Sequence, residues 1–194
     1  DNMSTETLVK LDVNTKQPLD MSICPAVSYV HEKTWLQKTD IEQNNILLHI
    51  YHPSDLRLAK ADFNSIAASL KKVAEKNNLI YVEHDNMSSN YSEVLELFAK
   101  ARIVFSSRLH GCIISHSMGL PFVPLICDDK MKSFVETHTS RSSYLPSVFE
   151  DVAEAMRIYN LEINEFENVK ASVEISIDKN VNLFSQVKRL LSEF

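Results

Sequence analysis

The chain has 194 residues, a formal net charge of −6 and only two glycines, Gly111 and Gly119, where average usage would supply roughly 13. That scarcity excludes a G-x-G-x-x-G or Walker-type phosphate loop, and the acidic balance offers no basic face for a nucleic acid. Apolar content of 44% and charged content of 24% fit one globular domain with a sizeable core and no need of a disulfide or metal staple.

Taken in chain order, Ser4 to Leu11 reads as a helix with Ser4 as N-cap, and Met21 to Val30 as a strand interrupted by Pro25. Trp35 to Asn44 is polar and fits neither pattern. Ile46 to Tyr51 is a strand closed by Pro53, and Phe63 to Lys76 an amphipathic helix with Phe63, Ile66, Ala67, Leu70, Val73 and Ala74 on one stripe. Leu79 to Glu83 is the next strand. Tyr91 to Ala101 is a helix capped near Ser88 or Ser89, and Ile103 to Phe105 a short strand. Gly111 to Met118 is a helix stopped by Gly119 and Pro121. Phe122 to Ile126 is a strand, and Asp128 or Asp129 caps a helix through Val135. A polar loop, Thr137 to Ser143, precedes a helix over Phe149 to Tyr159. The tail, about 165–194, is mostly helical.

Strands alternating with helices and apolar on both faces predict an α/β domain, a Rossmann-like parallel sheet with helices on both faces, spanning 1–194. The chain begins at Asp1, and its first helix has no strand before it, which predicts a piece of a longer protein. Cys24, Cys112 and Cys127 include no C-x-x-C pair. Reduced thiols in a cytoplasmic protein are therefore expected, rather than a disulfide framework or zinc site. No apolar run reaches the roughly 20 residues of a membrane span, and no signal peptide is expected.

In an open α/β sheet the ligand crevice lies beyond the carboxyl ends of the strands. Those ends carry His52, Asp85, the run Ser106-Ser107-Arg108-Leu109-His110, and Asp128-Asp129-Lys130. The run to His110 sits between a strand end and a helix N-terminus, where free N–H groups favour an anion. Arg108 offers a planar fork for carboxylate or phosphate, His110 can hold or give a proton near neutral pH, and Lys130 adds a second charge. Gly111 permits a close backbone approach or turns the chain. Arg108, His110 and Lys130 together describe a site for a small dianion. Taken singly, each has an ordinary alternative: a surface ion pair, a packed histidine, a solvated lysine. Cys112 reads better as a core thiol than as a reactive one. His49 and His52, three apart in a strand, point to opposite faces and do not make a metal pair.

From Ser107 to Val123, followed by Asp129-Lys130, the sequence resembles the polysaccharide pyruvyl transferase family, whose pattern is similar to S-R-L-H-small, an apolar helix, G-x-P, and a Lys about twenty residues after the His. Asp1 to Leu8 is similar to the family's R-D-x-x-S segment without its Arg. Ile23 to Val27 is a weaker echo, with Pro25 or Ala26 where an Asp is common. The resemblance implies the C-terminal half of a two-domain, glycosyltransferase-B-like transferase, poorly active alone, whose missing N-terminal domain holds the acceptor. It implies transfer of pyruvate from phosphoenolpyruvate to a sugar hydroxyl pair, forming a ketal in surface or exopolysaccharide synthesis. It places the protein in the cytoplasm or peripherally at the inner membrane. Arg108 and Lys130 would hold the donor and His110 act as acid, with Ser106, Ser107, Leu109, Gly111 and His52 lining the substrate. The scheme needs no metal or cofactor beyond phosphoenolpyruvate as co-substrate. Two rivals remain: the donor domain of a nucleotide-sugar glycosyltransferase or epimerase, with Glu83 and Asp85 as ribose-holding candidates, and a non-catalytic polysaccharide-assembly domain.

Overall fold

Apolar side chains on every described strand but Ile80–His84 are buried on both faces, and this dictates the layering. The computed structural model describes residues 44–85, 91–139 and 141–165. The expected first helix, the strand over Met21 to Val30, the caps at Ser88 or Ser89 and the C-terminal tail lie outside them. Four parallel strands, β1 (Ile46–Ile50), β2 (Ile80–His84), β3 (Ala101–Ser106) and β4 (Phe122–Pro124), form one sheet in the order β2-β1-β3-β4. Helices α1 (Pro53–Leu58), α2 (Phe63–Lys76), α3 (Tyr91–Ala99), α4 (Leu109–Ser117), α5 (Asp129–His138) and α6 (Val152–Asn164) connect and follow them, with a 3-10 turn at Pro146–Glu150.

Successive strand residues point to opposite faces, so two cores form. Ile46, Leu48, Ile50, Val104 and Phe122 pack beneath α3, α4 and α5 with Phe98, Ile113 and Met131. Leu47, Ile103, Phe105 and Val123 pack on the other face with Leu56 of α1, Ile66, Leu70 and Val73 of α2, Phe149, and Ile158 of α6. The fold is a doubly wound parallel α/β sheet, as the alternation predicts. Each fully buried aliphatic or aromatic side chain contributes about 1.5–3 kcal/mol, and the stripe of α2 supplies four, Ile66, Leu70, Val73 and Ala74, of which only Ala74 is small.

Local details differ from the sequence expectation. The helix α1 was not expected, because six residues are too few for a periodic stripe; Pro53 at its first position and His52 as its cap start it. Strand β3 begins at Ala101 rather than Ile103, and Lys100 closes α3 with bonds to Glu96 and Leu97. The stretch expected as a polar loop holds the last turn of α5 and then Arg141, buried against Glu162. Leu125 bridges Tyr144 in parallel fashion, so the chain after Arg141 runs beside the end of β4.

Candidate functional site

The strand order reverses between β1 and β3. From β1 the chain moves outward to β2, then returns to the other side of β1 as β3. Connections on the two sides leave over opposite faces, which opens a crevice beyond the carboxyl ends of β1 and β3. In register, Ile50 pairs with Ser106, and Ser107 N–H donates to Ile50 C=O at 2.9 Å. Two residues further along each strand stand His52 and Arg108.

The turn from β3 into α4 is built by its own side chains. Ser106, fully buried, donates its hydroxyl to Arg108 C=O at 2.8 Å and accepts from Arg108 N–H at 3.1 Å. Its hydroxyl is thus committed to fixing Arg108. Gly111 lies in the first turn of α4, where a Cβ would collide with Ser106 Oγ and come within 3.1 Å of Ile50 Cγ2 and Ser106 Cβ. Its lack of a side chain lets the helix N-terminus sit directly on the ends of β1 and β3. The structure therefore shows helix-to-sheet packing at Gly111. Leu109 packs its side chain on the core beneath α3 to α5, which leaves its backbone N–H as its contribution to the crevice.

Arg108 occupies the N-cap of α4 in extended conformation and makes no side-chain capping bond, and the first turn holds no acidic residue. Ser, Thr, Asp or Asn normally fills that position, and a cation near a helix N-terminus is unfavourable by about 0.3–1 kcal/mol. Among the described residues no carboxylate pairs with Arg108, His110 or Lys130, whereas Lys71, Lys132, Arg141 and Arg157 each have one. Ser107 is 3% exposed, and its hydroxyl has no hydrogen-bond partner among the described residues. His110 is exposed at the second position of α4. Lys130 is exposed at the second position of α5, whose N-cap Asp128 accepts from Met131 N–H at 2.7 Å. The two helices follow neighbouring strands and pack together on one face, with typical axis spacing of about 8–10 Å. His110 and Lys130 therefore hold equivalent places at adjacent helix starts.

On the opposite side of the crevice, His52 caps α1. Its Nδ1 accepts from Ser54 N–H at 3.3 Å and lies 2.5 Å from Ser54 Oγ. Cys112 is fully buried, and burial pushes its thiol far above the usual range, which fits a core residue. Burial also pushes Cys127, at the end of β4, up to about 12. Sequence reasoning weighed His49 only as half of a metal pair with His52. Its ring is fully buried, stacks on Phe63, and shares a 2.8 Å hydrogen bond between Nδ1 and Tyr81 Oη. Burial, reinforced by the Lys71 charge, lowers its pKa to about 3. Its place two residues after Leu47, on the same strand face, was the available signal for an inward position.

The protein is thus a parallel α/β domain whose switch point lies beside an uncapped, cation-bearing helix start. The sequence profile described as polysaccharide pyruvyl transferase matches residues 15–129, more than half of the chain, so the protein belongs to that family. The match takes in His52 and Ser106 through Gly111 and ends one residue before Lys130. No curated protein matches the chain. Among solved structures, it is similar to a variant of the wall teichoic acid polymerase TagF, at 13% identity and a TM-score of 0.31. That alignment covers 95% of this chain and 57% of the polymerase chain. No described helix is long and apolar enough to cross a membrane.

Proposed function

We propose that this chain binds phosphoenolpyruvate at the start of α4 and contributes the donor half of a transferase that forms a pyruvate ketal on a sugar hydroxyl pair. The observation that carries the reading is the start of α4: an Arg at the N-cap, no side-chain cap and no acid in the first turn. An anion there would gain from both the free N–H groups and the cation. Family membership supports the transferase class.

The residues divide the work as follows. Arg108 and Lys130 hold the carboxylate and phosphate. His110, as imidazolium, gives its proton to the methylene carbon, which becomes the methyl group and leaves a cationic centre at the adjacent carbon. One sugar hydroxyl adds to that centre and its proton returns to His110. The second hydroxyl then displaces phosphate, and its proton leaves with the phosphate to give hydrogen phosphate and the ketal. Positioned acid catalysis is worth on the order of 10²–10⁴ in rate. The acceptor side is contributed by a further domain, in surface polysaccharide synthesis on the cytoplasmic side.

Calorimetric titration with phosphoenolpyruvate tests the reading. Wild type binds and Arg108→Ala loses affinity by at least about tenfold, the scale of a charge-assisted hydrogen bond. Equal affinities would remove Arg108 from the site, and tighter binding of a nucleotide sugar would favour a glycosyltransferase instead. In the transferase assay with its acceptor domain present, His110→Ala abolishes turnover while phosphoenolpyruvate still binds.

A further inference from the structure

We infer that His52 forms the second wall of the anion site and donates a hydrogen bond from Nε2 to an oxygen of the bound phosphate or carboxylate. The inference rests on the anion-binding reading of α4 and adds a residue whose role the geometry of α1 fixes. A backbone N–H can only donate. Since Ser54 N–H points at His52 Nδ1, that nitrogen acts as the acceptor and the neutral ring carries its proton on Nε2. Ser54 Oγ, 2.5 Å from the same nitrogen, reinforces this tautomer when its one proton goes to Nδ1 rather than to Asp55 Oδ1 at 3.4 Å. The two ring nitrogens lie on opposite edges, so Nε2–H faces away from the helix it caps.

Position completes the argument. Strand register and the bond from Ser107 N–H to Ile50 C=O hold the ends of β1 and β3 together. His52 and Arg108 follow two residues beyond the paired Ile50 and Ser106, and adjacent strands run about 4.8 Å apart. His52 is half-buried, with one edge engaged and the other available. One residue before Arg108, Ser107 Oγ is buried without a partner among the described residues, so a second polar group next to the helix start lacks an acceptor. An imidazole whose free edge only donates, on the strand end next to that of Arg108, suits an oxyanion and does not suit taking a proton from a sugar hydroxyl.

Two substitutions separate the two edges of the ring. In His52→Asn the side-chain oxygen can still cap α1, but the outward donor is gone. In His52→Gln the amide nitrogen reaches the outward position, but the cap is lost. For phosphoenolpyruvate titrated against the full chain, His52→Asn weakens binding by about tenfold or more with an unchanged melting temperature. His52→Gln melts earlier and retains more affinity than His52→Asn. Ring ¹⁵N shifts of His52 place the proton on Nε2. Wild-type affinity in His52→Asn, or a proton on Nδ1, overturns the inference. Should Arg108→Ala lose affinity while His52→Asn does not, the anion site stands and only the role of His52 falls. If wild type fails to bind phosphoenolpyruvate, the anion reading itself falls.

Discussion

Replacing Gly111 with Ala asks whether α4 must touch the strand ends. A methyl group there would meet Ser106 Oγ, and Ile50 Cγ2 and Ser106 Cβ would both lie at 3.1 Å. Ser106 Oγ cannot simply swing aside, because it holds Arg108 by two hydrogen bonds, each worth about 0.5–1.5 kcal/mol net. Overpacking of a tight contact costs about 1–3 kcal/mol, while Ala in place of Gly returns up to about 1 kcal/mol of helix propensity. With one of those bonds lost as well, the balance is a net loss of about 0.5–4.5 kcal/mol, and at about 2–4 °C per kcal/mol for a chain of this size the melting temperature falls by about 1–18 °C. Circular dichroism melts of wild type, Gly111→Ala, Ser106→Ala and the double variant measure it. In the double variant the two losses are less than additive, because the colliding atom is already gone. A Gly111→Ala melt equal to or above wild type would refute the reasoning.

His49 makes stability depend on pH. Its folded pKa is about 3 against an ordinary 6.5, so between those values the unfolded chain binds the extra proton and stability falls as pH drops, by up to about 1.4 kcal/mol per unit. Urea unfolding at pH 7, 6 and 5 shows that slope, and His49→Phe, which keeps a ring in the stack, lessens it; an identical slope in the variant would contradict the assignment. Arg141 and Glu162 form a buried pair at 2.5 Å, joined by a 3.1 Å bond from Tyr144 Oη. Arg141→Met strands the carboxylate and costs about 3–5 kcal/mol, read as the shift in urea midpoint. Arg141→Met with Glu162→Leu recovers much of that loss. Gly119 has φ of 65° and ends α4, with bonds from Gly119 N–H to His116 C=O and from Leu120 N–H to Ser115 C=O. Gly119→Ala lowers stability by about 1–2 kcal/mol in the same assay, and Gly119→Asn loses less.

The sheet and its two-sided cover were legible because Ile46 to Ile50, His49 apart, and Ile103 to Phe105 are apolar on both faces, which a half-exposed strand would not be. The amphipathic stripe of α2 was legible for the same reason. Helix α1 was not, since its start depends on one capping histidine and one proline rather than on a repeat. Arg141 looked like part of a polar loop because its partner Glu162 lies 21 residues away on α6, and pairing at that range leaves no local pattern. The strand-end rule put Arg108, His110, Lys130 and His52 at one end of the sheet, and the structure has all four beyond the carboxyl ends of β1, β3 and β4. It could not divide the labour within Ser106-Ser107, where one hydroxyl builds the turn and the other is left unsatisfied. That distinction comes from which side of the strand end each faces. The scarcity of glycine likewise misdirects if read alone: the phosphate-loop motif is absent, yet Gly111 sits where α4 must approach the sheet and Gly119 where it must end.

The central claim is that the start of α4 holds an anionic donor. Titrating the ¹⁵N-labelled chain with phosphoenolpyruvate and following the backbone amides tests it directly. The account predicts saturating shifts at Leu109, His110 and Gly111, with Ser107 and His52 responding alongside and Arg108→Ala weakening all of them. Saturable shifts confined to other strand ends, or no shift at these amides at saturating ligand, would contradict it.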